Sequence, residues 1–123
     1  MQKTALTALF AASLLIVGSG AYAADVEAGK KAFAKCAACH SVEPGKNKVG
    51  PSLFGVVGRK AGTDPTYKYS DVMKDSGLTW DVATLNTYLE NPQAMVKGSK
   101  MTFAGVKDAT ERANIIAYLE TLK

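Results

Sequence analysis

The chain has 123 residues, and its 15 Lys and Arg against 11 Asp and Glu give a net charge of +4. The basic residues are scattered and interleaved with acidic ones, which excludes a structureless basic tail that binds nucleic acid. The charge leaves two interpretations, an ordinary solvated surface or a docking face for acidic protein partners. Two cysteines and one histidine limit the metal and redox chemistry that the chain can support.

The first 23 residues have the pattern of a secretory signal peptide. Lys3 supplies a positive charge, residues 5–17 are almost continuously apolar, and Ala21-Tyr22-Ala23 is a typical cleavage site. An uncleaved membrane anchor is the alternative, but a spanning helix needs about 20 apolar residues. We therefore expect cleavage of residues 1–23, a single domain over residues 24–123 without stable membrane insertion, and a location in a bacterial periplasm.

The domain is expected to begin with a helix over residues 25–37. Asp25 lies in its first turn, Lys30 and Lys31 lie near its end, and these charges complement the helix dipole. Residues 44–65 are dense in glycine and proline, which predicts a long structured loop. Loops of this length are uncommon in a compact domain unless they wrap around something.

Three helical segments are expected after this loop: residues 71–77, residues 80–90 and a last helix after Asp108. Thr79 is predicted to cap the second segment, which Asn91-Pro92 would end. Asp108 and Glu111 resemble a capping box at the start of the last helix. No window shows sustained strict alternation, so the sequence predicts an all-α protein whose loops are too long for a simple bundle.

The segment Cys36-Ala37-Ala38-Cys39-His40 carries the C-x-x-C-H pattern of covalent c-type haem attachment. Two thiols three positions apart can reach the two vinyl groups, and the adjacent imidazole can bind the iron. A tetrahedral zinc site needs four ligands, for which the chain has too few cysteines and histidines. A thioredoxin-like dithiol or a structural disulfide remains as an alternative, although no βαβ pattern surrounds the motif and a disulfide would not explain the long loops.

The second axial ligand is predicted by elimination. His40 is the only histidine, so a second imidazole is excluded. Met101 lies in the loop of residues 98–105, bounded by glycines and outside any helical stripe, whereas a methionine is usually core filler. A thioether favours reduced iron, and two filled axial positions favour electron transfer over catalysis.

Several longer motifs carry a family resemblance: G-P-S-L-F-G-V-V-G-R-K-A-G, Y-L-E-N-P, K-G-S-K-M-T-F-A-G and E-R-A-N-I-I-A-Y-L. With C-A-A-C-H, they make residues 25–123 closely similar to the class I cytochromes c of mitochondria and of bacterial periplasms. The resemblance implies a cytochrome c fold, in which N- and C-terminal helices cross and long loops wrap one covalent haem c with its iron. It further implies a soluble, monomeric one-electron carrier that is not an enzyme and exchanges electrons with oxidase, reductase or reaction-centre partners.

The resemblance also implies roles that the residues alone do not give. Met101 matches the axial sulfur ligand, and the carbonyl of Pro51 would accept the second imidazole N–H. The other matched positions contact the haem propionates, the methionine ligand or the exposed haem edge: Arg59, Tyr69, Trp80, Tyr88, Ser99 and Phe103. Without the resemblance, each of these aromatic residues would be assigned to core packing.

The chain departs from the mitochondrial pattern at Met73, where an asparagine is usual, and at Lys97, where a proline is usual. The extra lysine supports an acidic partner. Two other functional classes stay open at this point. One is an enzyme, either a haem peroxidase with an open sixth position or a dithiol oxidoreductase, and the other is a ligand-sensing haem module.

Overall fold

A computed structural model describes residues 24–123, and the predicted signal peptide lies outside these residues. Within them all regular elements are helices, apart from one isolated antiparallel bridge between Lys60 and Thr79. None of the helices in this range is long and apolar enough to cross a membrane. The predicted all-α class is therefore confirmed.

The N-terminal helical segment consists of two helices, α1 (Val26–Ala32) and α2 (Ala34–Ala37). Asp25 caps α1, since its carboxylate accepts a backbone N–H of the first turn at 3.1 Å. The prediction of one continuous helix is corrected at Phe33. There the backbone tightens, because the N–H of Cys36 donates to the Phe33 carbonyl three residues back at 2.7 Å. The cysteine motif thus has its own short helix.

The long loop of residues 44–65 is present as predicted and is followed by α3 (Asp71–Lys74). The Ser70 hydroxyl caps α3 by accepting the Met73 N–H at 3.3 Å. Beyond the helix Gly77 has a φ of 68°. This conformation favours glycine. The predicted segment of residues 71–77 is thus too long, because the helix already ends at Lys74 with Asp75 as its C-cap.

Helix α4 (Val82–Glu90) begins two residues later than predicted. Its cap is Asp81, whose carboxylate accepts the Thr84 N–H at 2.7 Å, and not Thr79. Thr79 instead pairs with Lys60, and this pairing holds its backbone extended. Thr79 and Asp81 are both residue types that cap helices well. The bridge to Lys60, which is distant in sequence, keeps Thr79 out of the cap position and leaves it to Asp81.

Asn91 ends α4 and also caps a further short helix, α5 (Pro92–Met95), which the sequence did not predict. The loop of residues 98–105 follows, and α6 (Ala109–Glu120) completes the domain. Asp108 caps α6 as predicted and accepts two backbone N–H groups of its first turn.

The core forms where α1 crosses α6. Gly29 is buried against the backbone of α6, and the rings of Phe33 and Tyr118 pack edge to face at 5.5 Å. The backbone N–H of Asp25 donates to the Asn114 side chain at 2.8 Å across 89 residues. The predicted crossing of the N- and C-terminal helices is confirmed, and it forms one wall of a central cavity.

Candidate haem site

A cavity of about 310 Å³ lies between the helices and the two long loops. Its walls are mostly apolar and include core side chains of α4 and α6: Leu85, Leu89, Ile115 and Leu119. Every candidate residue from the sequence analysis lines it: Cys36, Cys39, His40, Pro51, Arg59, Tyr69, Trp80, Tyr88, Ser99, Met101 and Phe103. Residues up to 67 positions apart are thus brought to one enclosed apolar space.

The cysteine motif lies at one side of this cavity. Cys36 and Cys39 are free thiols, the first half-buried and the second exposed. The N–H of His40 donates to the Cys36 carbonyl at 2.9 Å, so the helical turn continues through the motif and places three side chains on the cavity wall. Burial raises the pKa of the Cys36 thiol, and the Lys35 charge opposes this shift. Because neither cysteine is in a disulfide, both thiols are available for thioether formation.

The His40 imidazole is fixed by its backbone surroundings. Its Nδ1 lies 2.7 Å from the Pro51 carbonyl oxygen. Because a carbonyl only accepts, Nδ1 carries the proton and Nε2 keeps its lone pair. Gly50 packs so closely that a Cβ there would lie 2.4 Å from the His40 ring. Burial lowers the pKa of His40, opposed by the Pro51 hydrogen bond, which favours the neutral imidazole that a metal ion requires.

The Met101 thioether is held by a buried phenol. The Tyr88 hydroxyl donates to Met101 Sδ at 3.2 Å, and its ring packs against Trp80 at 4.6 Å between centroids. Burial raises the pKa of Tyr88 to about 12, against an opposing effect of Ser99, so the phenol stays protonated and remains a donor. Thioether sulfur has a second lone pair, which stays available to a soft metal ion.

A polar edge completes the cavity. The Arg59 guanidinium donates to two backbone carbonyls, at 3.3 and 3.5 Å, and Tyr69 packs edge to face on Tyr67 at 4.9 Å. Burial raises the pKa of Tyr69, and the Arg59 charge opposes this shift. The buried Ser99 also lines the cavity. A cation beside hydroxyl groups can bind carboxylates, such as those of haem propionates.

Several cavity residues were absent from the sequence-based set. Tyr67 lines the cavity and donates to the Val49 carbonyl at 2.7 Å, and Met73 also lines it. Met73 was noted only as a departure from the family pattern. No motif in the sequence singles out Tyr67, because an irregular loop has no apolar periodicity that would place its side chain.

The donor set fits a covalently held haem c. The cavity combines two free thiols on its wall, one neutral imidazole with an available Nε2, one thioether and a polar edge. The mostly apolar walls suit a porphyrin, and Gly50 packs so closely on the His40 ring that any side chain at this position would collide with it.

Comparisons with known proteins identify the family. The family model described as Cytochrome c matches residues 26–123. Cytochrome c2 of Rhodoblastus acidophilus is 55% identical over 102 residues, which cover 82% of this chain and 95% of the relative. Cytochrome c2 of Rhodomicrobium vannielii is 49% identical over 121 residues, which cover 98% of this chain and 97% of the relative.

Among solved structures, cytochrome cH from Methylobacterium extorquens superposes with a TM-score of 0.75 at 54% identity. The match covers 79% of this chain and 98% of that chain. The chain belongs to the cytochrome c family. It is accordingly an electron carrier with a covalently bound haem c and its iron, which confirms the cofactor expected from the C-x-x-C-H motif.

Proposed function

We propose that the chain shuttles single electrons between redox proteins, with Cys36 and Cys39 as the thioether attachment sites and with His40 and Met101 as the axial ligands. The observation that carries this proposal is that an imidazole and a thioether line one cavity, each fixed by a hydrogen bond to its non-coordinating side. Haem iron supplies reversible one-electron chemistry between its ferrous and ferric states.

The surrounding residues would keep this chemistry outer-sphere. Pro51 holds the His40 ring in one orientation, and Tyr88 holds the Met101 sulfur. Neither the imidazole nor the thioether needs to move when the site gains or loses an electron, so the reorganisation energy of electron transfer stays small. The apolar walls exclude water, and Arg59 and Tyr69 provide a cation and a hydroxyl for propionate groups at the polar edge. With both axial positions filled, we propose that the protein is not an enzyme.

The methionine assignment can be tested against a rival in the same cavity. Met73 also lines it, whereas Met95 does not. We expect Met101→Leu in the haem-loaded protein to abolish the sulfur-to-iron charge-transfer band, lower the reduction potential and open the iron to imidazole. Met73→Leu and the matched control Met95→Leu should keep the band. If the band is lost in Met73→Leu and kept in Met101→Leu, the assignment of Met101 is contradicted. If Met101→Leu changes neither the reduction potential nor imidazole binding, a peroxidase or a sensor is favoured over an electron carrier.

The attachment sites are tested by intact mass. Two thioethers add the whole mass of haem to residues 24–123, whereas a disulfide removes only two hydrogens. We expect Cys36→Ala and Cys39→Ala each to leave one thioether, and the double variant to release haem into acidified organic solvent. Colourless native protein with an intact disulfide would instead support the dithiol alternative.

We propose that partner proteins carry acidic docking faces. Five lysines are candidates for this docking: Lys35, Lys60, Lys97, Lys100 and Lys107. Lys35 and Lys100 line the cavity, whereas the other three are exposed outside its lining. Lys107 Nζ is bound to two backbone carbonyls, at 2.6 and 3.0 Å. Charge at the cavity edge would steer an anionic partner most strongly at low salt, since the Debye length falls from ~30 Å at 0.01 M to ~10 Å at 0.1 M.

Small redox probes test this steering without a known partner. We expect ferrous protein to be oxidised faster by anionic hexacyanoferrate at 0.01 M than at 0.1 M salt, and Lys100→Glu to slow that reaction several-fold. Lys30→Glu, on exposed α1 outside the cavity lining, should have a smaller effect. A rate that is flat with salt and equal in both variants would refute steering.

We further propose that residues 1–23 direct export and are removed, so that residues 24–123 act in a bacterial periplasm as a monomer. The N-terminal mass of protein recovered from the native source tests the cleavage. A mature protein that retains residues 1–23 would contradict it.

A further inference from the structure

Gln93 connects α5 to the loop that carries Met101. Its Nε2 donates to the backbone carbonyl of Met101 at 2.6 Å, with longer contacts of 3.3 Å to the carbonyl and the hydroxyl of Ser99. Its Oε1 accepts the Gly98 backbone N–H at 3.2 Å. One half-buried side chain thus contacts three of the four residues 98–101.

The chemistry of these contacts requires an amide. Backbone carbonyls only accept and a backbone N–H only donates, so the side chain must offer a donor on one side and an acceptor on the other. A carboxylate of the same shape lacks the donor, a lysine lacks the acceptor, and a methionine lacks the donor and has only a weak acceptor. The contacts also fix which end of the amide is nitrogen, since the opposite assignment would place the amide oxygen against two backbone carbonyl oxygens and the amide nitrogen against the Gly98 N–H.

The position of Gln93 makes it a firm anchor. It follows Pro92, which is fully buried, and α5 is capped by Asn91 and closed by the Val96 N–H on the Pro92 carbonyl at 2.9 Å. The loop itself has few anchors. Within residues 24–123, the bond from Gln93 is the one hydrogen bond made to the backbone of Met101.

We infer that Gln93 is a positioning residue for the Met101 ligand, an inference that rests on the proposed axial role of Met101. Tyr88 holds the sulfur and Gln93 holds the backbone, so the side chain is fixed at both ends. Without the hydrogen bonds from Gln93, the loop of residues 98–101 would open more often and release the sulfur from the iron. The side chain contacts neither the cavity nor the thioether, so its effect is indirect.

The experiment compares Gln93→Glu and Gln93→Met in the haem-loaded protein, with Asn114→Ala as the control. Asn114 also accepts a backbone hydrogen bond, but on α6 against the N-terminus. The first readout is the rate at which imidazole binds the ferric protein, because it enters only when the sulfur leaves. The second is the sulfur-to-iron charge-transfer band.

We expect both Gln93 variants to bind imidazole about tenfold faster or more, since each loses at least two hydrogen bonds to the loop. The band should weaken on mild warming at a temperature where the Asn114→Ala protein keeps it. Equal rates in the Gln93 variants and the unmodified protein would overturn the inference, as would a normal rate in Gln93→Met alone, because packing would then suffice.

Hydrogen exchange in the unmodified protein provides a test that needs no variant. The Gly98 N–H should exchange slowly, because the Gln93 Oε1 accepts it, and free exchange would overturn the inference. If the unmodified protein lacks the charge-transfer band, the axial role of Met101 fails. If the band is present and the Gln93 variants behave normally, only the inference about Gln93 fails.

Discussion

Replacing Gly29 by alanine should separate the two helices that form the core. A Cβ at this position would lie 1.9 Å from the Asn114 carbonyl oxygen and 2.5 Å from its carbon, whereas contacts below 3.0 Å essentially do not occur. The obstacle is helix backbone, which cannot rotate away as a side chain can. The helices must therefore move apart by about 1 Å, and a gap of that size removes about a quarter to a half of the dispersion attraction across it.

The magnitude follows from two opposing effects. Overpacking costs about 1–3 kcal/mol and reaches the upper end against a rigid backbone. Alanine has the higher helix propensity, which offsets about 1 kcal/mol, so the net loss in unfolding free energy is about 2 kcal/mol. Urea unfolding of haem-loaded protein, followed by circular dichroism, measures it. The neighbouring exposed Lys30→Ala should stay within about 0.5 kcal/mol. A Gly29→Ala protein as stable as this control would refute the reasoning.

Three further substitutions test individual contacts. Tyr88→Phe removes the donor to the Met101 sulfur, leaves a more electron-rich thioether and should lower the reduction potential; an unchanged potential in a redox titration would contradict this. Gly50→Ala places a methyl 2.4 Å from His40 and should lower the yield of haem-loaded protein, whereas a normal haem-to-protein absorbance ratio would argue against a tight cradle. Arg112 Nη1 donates to two backbone carbonyls, at 2.9 and 3.0 Å, and Arg112→Met leaves both without this charged donor. The free energy of unfolding in urea should fall by about 3 kcal/mol, and a loss below about 1 kcal/mol would contradict this reasoning.

The sequence predicted those features that depend on local chemistry. The cap at Asp108 is set by residues within one turn, and the C-x-x-C-H motif is read directly from spacing. The cap of α4 was wrongly placed, because the contact between Thr79 and Lys60 joins separate loops. Such a contact leaves no periodic signal in either segment.

Features that depend on the path of a loop could not be predicted in the same way. Helix α5 is a single turn, too short for apolar periodicity, so Gln93 had no visible partner. The roles of Arg59 and Tyr69 came from family resemblance alone and stay predictions, although both side chains line the cavity. An isolated arginine or tyrosine in a glycine-rich loop has no local pattern that indicates a ligand.

The crossing of α1 and α6 joins segments from opposite ends of the domain. A growing polypeptide that has not yet received its last dozen residues has nothing to cover the apolar side of its first helix. We therefore expect chains that lack α6 to stay unfolded. Stop codons placed before residue 109 should yield protein that proteases degrade as quickly as a denatured chain.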